Sequence, residues 1–219
     1  MNQPICAIVG FGPGVSLGVA KAFGQEGYRL AAVARSLDKL NANLEPLRQA
    51  GCDVSPFGAD AGDAAALTEA FSQIRGQLGD PQVLVYNAVT FHPGRPSSLT
   101  AEQLTADFQV NVAGALVAVQ QVLPAMQAQS KGTILLTGGG LALNPWADVA
   151  SLAIGKAGIR SLAFSLAQEL TPAGIHVGTV TICGTVEPGT HFDPDKIAQA
   201  YLTLHRQPPD AFETEIIYR

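Results

Sequence analysis

Residues 5–35 of the chain read ICAIVGFGPGVSLGVAKAFGQEGYRLAAVAR. The apolar runs 5–9 and 30–34 predict two buried strands, and the helical spacing of apolar residues between them predicts a helix that extends to Gly27. A strand, a glycine-rich turn, a helix and a second strand form one right-handed βαβ unit. A helix that begins after such a turn presents free backbone N–H groups and the positive end of its dipole. We therefore expect an anion there, and a nucleotide diphosphate suits the site best.

The spacing of glycines in the turn indicates how a phosphate would be held. The fingerprint G-x-G-x-x-G fails, because Gly10 and Gly12 are present but Val15 stands where the third glycine belongs. The spacing G-x-x-x-G-x-small fits Gly10, Gly14 and Ser16. Gly10 would allow the sharp exit from the strand, Gly14 the close approach of a phosphate, and Ser16 both close packing and a hydroxyl contact to a phosphate oxygen. The alternative interpretation is a tight turn without a ligand.

Composition favours one α/β domain covering residues 1–219. The chain has 219 residues, of which 47% are hydrophobic and 14% charged, and this suits a large core. The net charge is −5 and no cluster of Lys and Arg occurs, which argues against nucleic acid or an anionic membrane as a partner.

The cysteines and the N-terminus indicate the compartment. Cys6, Cys52 and Cys183 all fall in predicted strands and have no metal-ligand spacing, so we expect buried, reduced thiols and no metal. The chain enters a strand almost at once, so we expect no signal peptide. The apolar stretch 110–126 is interrupted by polar residues and is expected to be a core helix rather than a membrane span. The cytoplasm is the expected compartment.

Strands and helices alternate along the whole chain. Strands are predicted at 5–9, 30–34, 52–57, 83–86, 133–137, 175–183 and 213–218. Helices after the first are predicted at 37–50, 63–79, 100–129, 149–170 and from 193 onward. Asp63 is expected to cap one helix, Thr100 and Gln103 to form a capping box, and Pro194 to open the last helix after Asp193. The fold class is therefore a single-domain Rossmann fold, α/β, with a doubly wound, mostly parallel seven-stranded sheet and helices on both faces.

Ligands of such sheets bind beyond the carboxyl ends of the strands, where the strand order reverses. The loops expected to meet there begin at Gly10, Arg35, Asp60, Asn87, Gly138 and Gly184.

In this order and spacing, a series of motifs resembles the short-chain dehydrogenase/reductase family over nearly the whole chain. The motifs are Gly10-x-x-x-Gly14-x-Ser16, Asp60-Ala61, Asn87-Ala88, Asn111-Val112-Ala113-Gly114, the segment Lys156-Ala157-Gly158-Ile159-Arg160-Ser161-Leu162, and Gly184-Thr185-Val186.

The resemblance implies a role for each motif. The turn at Gly10 would hold the pyrophosphate, the pair at Asp60 would meet the adenine, and the pair at Asn87 would support the adenine ribose side. Lys156 would bond the nicotinamide ribose, the Val186 backbone the carboxamide, and Asn111 a water in a proton relay. The implied catalytic residues are Lys156 and Asn111. The implied cofactor-binding residues are Gly10, Phe11, Gly12, Gly14, Val15, Ser16, Arg35, Asp60, Ala61, Asn87, Ala88, Lys156, Gly184 and Val186.

The end of the second strand indicates which dinucleotide is preferred. An acidic residue there would accept hydrogen bonds from ribose hydroxyls and favour NAD, but Ala34 stands at that position and Arg35 follows. A guanidinium suits the 2′-phosphate, so NADP(H) is expected to be favoured over NAD(H). The alternative interpretation is a surface arginine at the start of a helix.

The chain departs from the family pattern at the two catalytic hydroxyl positions and near Gly184. The family's catalytic Tyr lies four residues before the lysine, where this chain has Leu152, and its partner Ser lies thirteen residues earlier, where this chain has Gly139. Ser151 adjoins Leu152, but one helical step turns its side chain about 100° away. Tyr86, Thr137, Asp148 and His191 could lie near the site, each with a structural alternative. The family's Pro before Gly184 is replaced by Cys183, and about nine residues separate Gly184 from Asp193, so we expect an open cleft.

Three functions remain open at this point. The first is an NADP-dependent oxidoreductase that acts on an unidentified small molecule and uses a non-standard proton donor such as water. The second is a catalytically silent dinucleotide-binding or sensor protein. The third is an S-adenosylmethionine-dependent methyltransferase, since residues 10–14 resemble its G-x-G-x-G loop, although Arg35 argues against it.

A homodimer or homotetramer is expected, because two long helices carry more apolar residues than one face needs, and the resemblance implies assembly through the same helices. These residues are Ala113, Leu116, Val117, Val119 and Val122 in one helix, and Leu162, Phe164, Leu166 and Leu170 in the other.

Overall fold

Seven parallel strands form one sheet in the computed structural model, which describes residues 3–219. The strands are β1 Ile5–Val9, β2 Arg29–Ala34, β3 Val54–Gly58, β4 Val83–Tyr86, β5 Gly132–Thr137, β6 Ile175–Ile182 and β7 Glu215–Tyr218. Their order across the sheet is β3-β2-β1-β4-β5-β6-β7. β1 pairs with β2 on one side and with β4 on the other, so the strand order reverses there and opens a crevice at the carboxyl ends. The predicted Rossmann-type fold is confirmed, with a sheet that is parallel throughout rather than mostly parallel.

Helices cover both faces of the sheet. They are α1 Val15–Gln25, α2 Leu37–Gln49, α3 Ala64–Gln77, α4 Ala101–Phe108, α5 Gly114–Gln129, α6 Ala150–Leu170 and α7 Pro194–His205. Helices α3, α5 and α6 contribute to one hydrophobic core, and α1, α2 and α7 to the other. Because both faces are covered, the central strands are buried on both sides, which explains their continuous apolar runs.

The predicted capping signals are present. The Asp63 carboxylate accepts from two backbone N–H groups of the first turn of α3. Thr100 and Gln103 form the capping box of α4. Asp193 caps α7, and Pro194 occupies its first turn. These local contacts stabilise the helix starts and so set where the preceding loops end.

The long helix predicted from Thr100 to Gln129 contains one irregular segment. Five residues, Gln109–Ala113, adopt π-helical hydrogen bonding between α4 and α5, and Asn111 lies at their centre. Within residues 3–219, one helical stretch, Ala101–Gln129, is long enough and apolar enough to cross a membrane, judged by length and composition alone. Its side chains at Val119, Val122 and Met126 nevertheless lie in the core against the sheet, where a core helix was expected.

Two of the expected cysteine placements are wrong. Cys52 precedes β3 and Cys183 follows β6, so only Cys6 lies in a strand; it is also the only fully buried thiol of the three, and all three are free. Of the apolar residues whose number suggested an interface, four lie in the core: Val119, Val122, Leu166 and Leu170. Leu116 does remain exposed, and Phe108 of α4 and Ile154 of α6 are exposed as well. Part of the apolar surface on which the expected interface was based is therefore buried within the chain's own core.

Helices α1 and α7 approach unusually closely at Gly18. A Cβ atom built there would lie 2.4 Å from the carbonyl oxygen of Pro194. No side chain fits at that distance, so this glycine allows α7 to cover the helix that follows the glycine-rich turn.

Candidate active site

Ser16 holds the turn between β1 and α1 together from inside. Its buried hydroxyl accepts from the backbone N–H of Gly12 at 2.9 Å and lies 3.3 Å from the carbonyl oxygen of Gly10. Asn87, at the end of β4, donates its side-chain amide to the same carbonyl at 3.3 Å. The hydroxyl therefore stabilises the turn, a role that the sequence did not indicate, and its contact with a phosphate stays a prediction.

The remaining glycines of the turn leave room for a ligand. Gly10 has φ +81°, and a Cβ there would lie 2.3 Å from the backbone of Ala88, so this position accepts glycine alone. Gly12 and Gly14 face open space, with no heavy atom within 4 Å of the position of a Cβ. Among the residues that the structure describes, no side chain caps the N-terminus of α1. Open space beside an uncapped helix start is the cradle that a diphosphate requires, so the turn fits a dinucleotide.

A pocket of about 250 Å³ lies beside this turn, at the carboxyl ends of β2 and β3. Arg35 is exposed at its wall, and within residues 3–219 no carboxylate lies within ion-pair distance of its guanidinium. The Asp60 carboxylate accepts from the backbone N–H of Gly62 at 2.9 Å, which shapes the loop after β3. The other lining residues are Gly10, Phe11, Ala34, Ala59, Ala61, Asn87, Ala88, Val89, Thr90 and Val110. The structure thus brings together the predicted residues of the adenosine side.

Lys156 projects from α6 toward the end of β5. Its Nζ donates to the carbonyl oxygen of Thr137 at 2.9 Å, and no carboxylate of the described chain forms an ion pair with it. Burial away from water lowers the pKa of Lys156 to about 8. An ammonium held by one carbonyl keeps two N–H donors for further acceptors, such as the hydroxyls of a sugar.

Gly139 and Leu152 line the same cleft as this lysine. A Cβ at Gly139 would lie 3.2 Å from both Cδ and Cε of Lys156, so the methylene chain of the lysine packs over the glycine. Leu152 is partly buried, one helical turn before Lys156. The two positions therefore present hydrocarbon, and no hydroxyl, beside the ammonium.

Two hydroxyls close to this point are already bonded to backbone. The Ser151 hydroxyl is buried and lies 3.2 Å from both the N–H and the carbonyl oxygen of His92, so its side chain points away from Leu152 as predicted. The Tyr86 hydroxyl donates to the carbonyl oxygen of Val110. Burial, with a smaller contribution from the charge of Asp60, raises the pKa of Tyr86 above its usual range. Neither group is placed to give a proton into the cleft.

The other three candidates are also engaged. The Thr137 hydroxyl pairs with the hydroxyl of Tyr201 at 2.8 Å. Asp148 forms an exposed ion pair with Arg95 at 2.8 Å. The His191 ring bonds a backbone carbonyl at the end of β7 and stacks on the ring of Tyr218. Of the three, Thr137 alone lines the cleft.

Asn111 fastens the loop after β4. Its side-chain amide accepts from the N–H of Thr90 and donates to the carbonyl oxygen of Thr90, both at 2.8 Å. A cavity of about 10 Å³ lies between Asn111, Thr137 and Lys156. That volume is about the smallest that holds one water molecule, and its lining includes polar groups on both sides.

A pair that the sequence did not indicate, Asp107 and His92, holds the same loop in place. Asp107, one helical turn before Asn111, is fully buried and accepts from the backbone N–H of His92 at 2.7 Å and from its ring Nδ1 at 3.0 Å. An acid in the apolar face of an otherwise amphipathic helix was the signal that could have shown it. Together with Ser151, this pair fixes the loop that runs beside the cleft.

The cleft around Lys156 has a volume of about 850 Å³. The loop between β6 and α7 contains no helix among the described residues and closes on itself, with the N–H of Gly189 donating to Asp193 at 2.6 Å. The mouth of the cleft is open, since the lining residues Trp146 and Val186 are 65% and 36% exposed. The lining residues are Gly12, Gly14, Val15, Ser16, Asn87, Val89, Thr137, Gly138, Gly139, Gly140, Leu141, Leu143, Asn144, Trp146, Val149, Leu152, Lys156, Ile182, Cys183, Gly184, Thr185, Val186 and Arg219.

Comparison with known proteins is consistent with this geometry. The family model described as short chain dehydrogenase matches residues 4–196. The 2,3-dihydro-2,3-dihydroxybenzoate dehydrogenase of Bacillus subtilis is 30% identical over 186 residues, which are 85% of this chain and 69% of that enzyme.

Solved structures give the same result. A metagenomic short-chain oxidoreductase in complex with NADP superposes with a TM-score of 0.88 at 25% identity, over 99% of this chain and 97% of that one. A short-chain dehydrogenase/reductase from Burkholderia xenovorans has a TM-score of 0.88 at 25% identity, over 98% of this chain and 94% of its own.

Proposed function

The chain belongs to the short-chain dehydrogenase family, and from this premise we propose that it is an NADP(H)-dependent oxidoreductase with a non-standard active site. The observation that carries the cofactor preference is Arg35, which is exposed and unpaired within residues 3–219 at the wall of the adenosine-side pocket. A guanidinium there pairs with a 2′-phosphate, whereas NAD(H) offers it only a hydroxyl.

Each part of the cleft has a task in this proposal. The turn at Gly12 and Gly14 holds the pyrophosphate against the start of α1. Lys156 donates to ribose hydroxyls while Thr137 fixes its ammonium. A nicotinamide held there would supply a hydride to the substrate or accept one from it. Leu152 and Val149 give this part of the cleft an apolar wall.

Among the described residues, the hydroxyls of Ser151, Tyr86 and Thr137 were the candidates for the proton that balances the hydride. All three hydroxyls are bonded elsewhere, and Leu152 with Gly139 presents hydrocarbon. We therefore assign proton transfer to water that enters through the open mouth. Without a positioned donor, the negative charge on a carbonyl oxygen is poorly stabilised, so reduction of ordinary ketones and aldehydes should be slow.

Calorimetric titration with NADPH and NADH tests the cofactor assignment. The Arg35→Asp variant should lose roughly tenfold to a hundredfold of the preference for NADPH, because a charged hydrogen bond contributes roughly 1.5–3 kcal/mol. Arg48→Asp, at an exposed position of α2, is the matched control and should keep the wild-type preference. Equal affinities for both dinucleotides in all three proteins would show that Arg35 does not select the cofactor.

A catalytically silent dinucleotide-binding protein is the second candidate. The observation that favours it is the packing of Lys156 over Gly139, which fills the place of a hydroxyl with methylene groups. The Gly139→Ser and Leu152→Tyr double variant separates the candidates in assays of NADPH oxidation with a panel of simple carbonyl compounds. A positioned general acid contributes roughly 10²–10⁴ in rate, so the variant should gain activity over a slow or silent wild type. Rapid wild-type turnover of any simple carbonyl would instead reveal an existing donor.

The Lys156 methylenes do not obstruct this variant. A serine Cβ at position 139 would lie 3.2 Å from them, and a flexible side chain gives way by a few tenths of an ångström. The methyltransferase interpretation has no support left, because Arg35 replaces the acid that it needs and the family assignment covers residues 4–196.

Assembly and location complete the proposal. Phe108, Leu116 and Ile154 are exposed on α4, α5 and α6, and large apolar side chains on one surface favour a partner. We propose a homodimer or homotetramer through this surface, and the cytoplasm as the compartment.

A further inference from the structure

The far wall of the cleft, beyond Lys156, is built from apolar side chains. Three of them remain well exposed at the mouth: Trp146 at 65%, Leu143 at 39% and Val186 at 36%. Deeper in, Leu141, Val149, Leu152 and Ile182 continue the same surface. Exposed apolar area inside a concave site indicates a ligand with a hydrophobic body, and the flat indole of Trp146 best covers a flat ring.

The charged side chains that line the cleft are cationic. They are Lys156 and Arg219, and among the described residues no Asp or Glu side chain lines the cleft, although the whole chain has a net charge of −5. Lys156 is bonded to Thr137 and serves the ribose in the proposed function. Arg219 has no such task. Its guanidinium makes no ion pair or hydrogen bond with residues 3–219.

The position of Arg219 relative to the apolar wall is set by the sheet. Ile182 of β6 pairs with Tyr218 of β7, and the N–H of Cys183 donates to the Tyr218 carbonyl at 2.9 Å. Arg219 therefore follows at the carboxyl edge of the sheet, beside the segment that leads to Val186. A ligand lying along Val186 and Trp146 comes within reach of a cation at one end of the apolar surface.

We propose that the molecule selected beside the dinucleotide is an aromatic carboxylate. This inference rests on the proposed function, because it names the substrate class of the same site. The ring packs against Trp146, Leu143 and Val186, and the carboxylate pairs with Arg219, whose fork of N–H donors matches two carboxylate oxygens. In this orientation the carboxylate lies at the solvent-exposed mouth of the cleft, and the opposite edge of the ring points toward Leu152.

Trp146 is the single tryptophan of the chain, so its fluorescence reports directly on this wall. The experiment titrates the NADP⁺-loaded full chain with benzoate, with uncharged benzamide and with non-aromatic cyclohexanecarboxylate. Benzoate should change the Trp146 emission in a saturable way and bind most tightly of the three. In Arg219→Gln the benzoate affinity should fall roughly tenfold or more, which is the loss expected for a charged hydrogen bond. Arg219→Lys keeps the charge and should retain part of the affinity.

Arg48→Gln, an exposed arginine on α2, is the matched control and should bind benzoate as the wild type does. Calorimetry on Trp146→Leu, which lacks the reporter, should show weaker benzoate binding, with a smaller change for cyclohexanecarboxylate. An unchanged Trp146 signal with benzoate, or equal benzoate affinity in wild type and Arg219→Gln, would overturn the inference.

Calorimetry with NADP⁺ alone keeps this result separate from the proposed function. If NADP⁺ binds and benzoate does not, the ligand class is wrong and the proposed cofactor stands. If benzoate binds and NADP⁺ does not, the proposed function is wrong, and the aromatic carboxylate remains the ligand class of the cleft.

Discussion

Replacing Lys156 by methionine should stabilise the protein at neutral pH. Burial lowers the pKa of this lysine from 10.5 to about 8, so the folded state disfavours the charged amine. At about 1.4 kcal/mol for each pKa unit, the cost is about 3 kcal/mol at most. The side chain is partly exposed, which reduces that figure, and the hydrogen bond to Thr137 returns about 1 kcal/mol. We therefore expect Lys156→Met to gain about 1–2 kcal/mol in the free energy of unfolding.

The gain should depend on pH in a defined direction. Below pH 8 the amine is protonated in both states, and the folded state bears the full cost of burying the charge. Between pH 8 and 10.5 only the unfolded chain keeps the proton, so the free energy of unfolding of the wild type rises with pH. Above that range the cost is gone and the hydrogen bond alone remains, so the advantage of Lys156→Met should vanish or reverse.

Denaturant unfolding followed by circular dichroism, from neutral pH to the alkaline side of 10.5, measures both quantities. Burial also raises the pKa of Tyr86 and Tyr201, and their titration lowers stability at alkaline pH. The difference between wild type and variant cancels these contributions. Lys39→Met, at an exposed position of α2, is the control for loss of a positive charge. A variant that is less stable than the wild type by a constant amount at every pH would refute the reasoning.

Two further predictions concern packing and assembly. Gly18→Ala should lower the free energy of unfolding by about 1–3 kcal/mol, because the added methyl group overlaps the Pro194 carbonyl. In the same denaturation assay, Gly76→Ala in α3 should raise the free energy of unfolding by about 0.5–1 kcal/mol, because its methyl group meets no atom within 4 Å. Leu116→Glu should reduce the mass measured by light scattering from that of an oligomer to that of a monomer. Leu37→Glu, at an exposed position of α2, is the control and should leave the mass unchanged. A monomeric wild type at micromolar concentration would contradict the proposed assembly.

The features that sequence predicted well are those with local causes. The βαβ order follows from apolar runs of strand length that alternate with helical periodicity, and neither signal needs a distant partner. The capping box of Thr100 and Gln103 closes within four residues, so its residues are sufficient to identify it. The meeting of loops at one edge followed from a general rule for parallel sheets, which is why Gly10, Asn87 and Arg35 could be placed at one site.

The features that sequence missed depend on contacts between distant elements. Asp107 becomes a buried partner of His92 only because the loop after β4 folds back onto α4. The Ser16 hydroxyl turns inward because carbonyls of its own turn converge on it, which no spacing rule indicates. Which apolar residues of the long helices face the core was also undetermined, since both faces of α5 are apolar in sequence. In each case, contacts between residues distant in sequence determine which interpretation is right, and the local sequence pattern is compatible with both.

The lysine and its hydrocarbon neighbours concern two requirements, and the two proposed functions share only the first of them. An amine buried at a cost in stability, fixed by Thr137 and with N–H donors to spare, is useful for holding a ribose, and both a binding protein and an enzyme need that contact. A proton donor at the substrate oxygen is needed by the enzyme alone, and Leu152 and Gly139 place hydrocarbon there. Dinucleotide affinity cannot therefore distinguish the two functions. A substrate must be offered that fits the open, apolar mouth at Trp146, because turnover there requires that water, or the substrate itself, provides the proton.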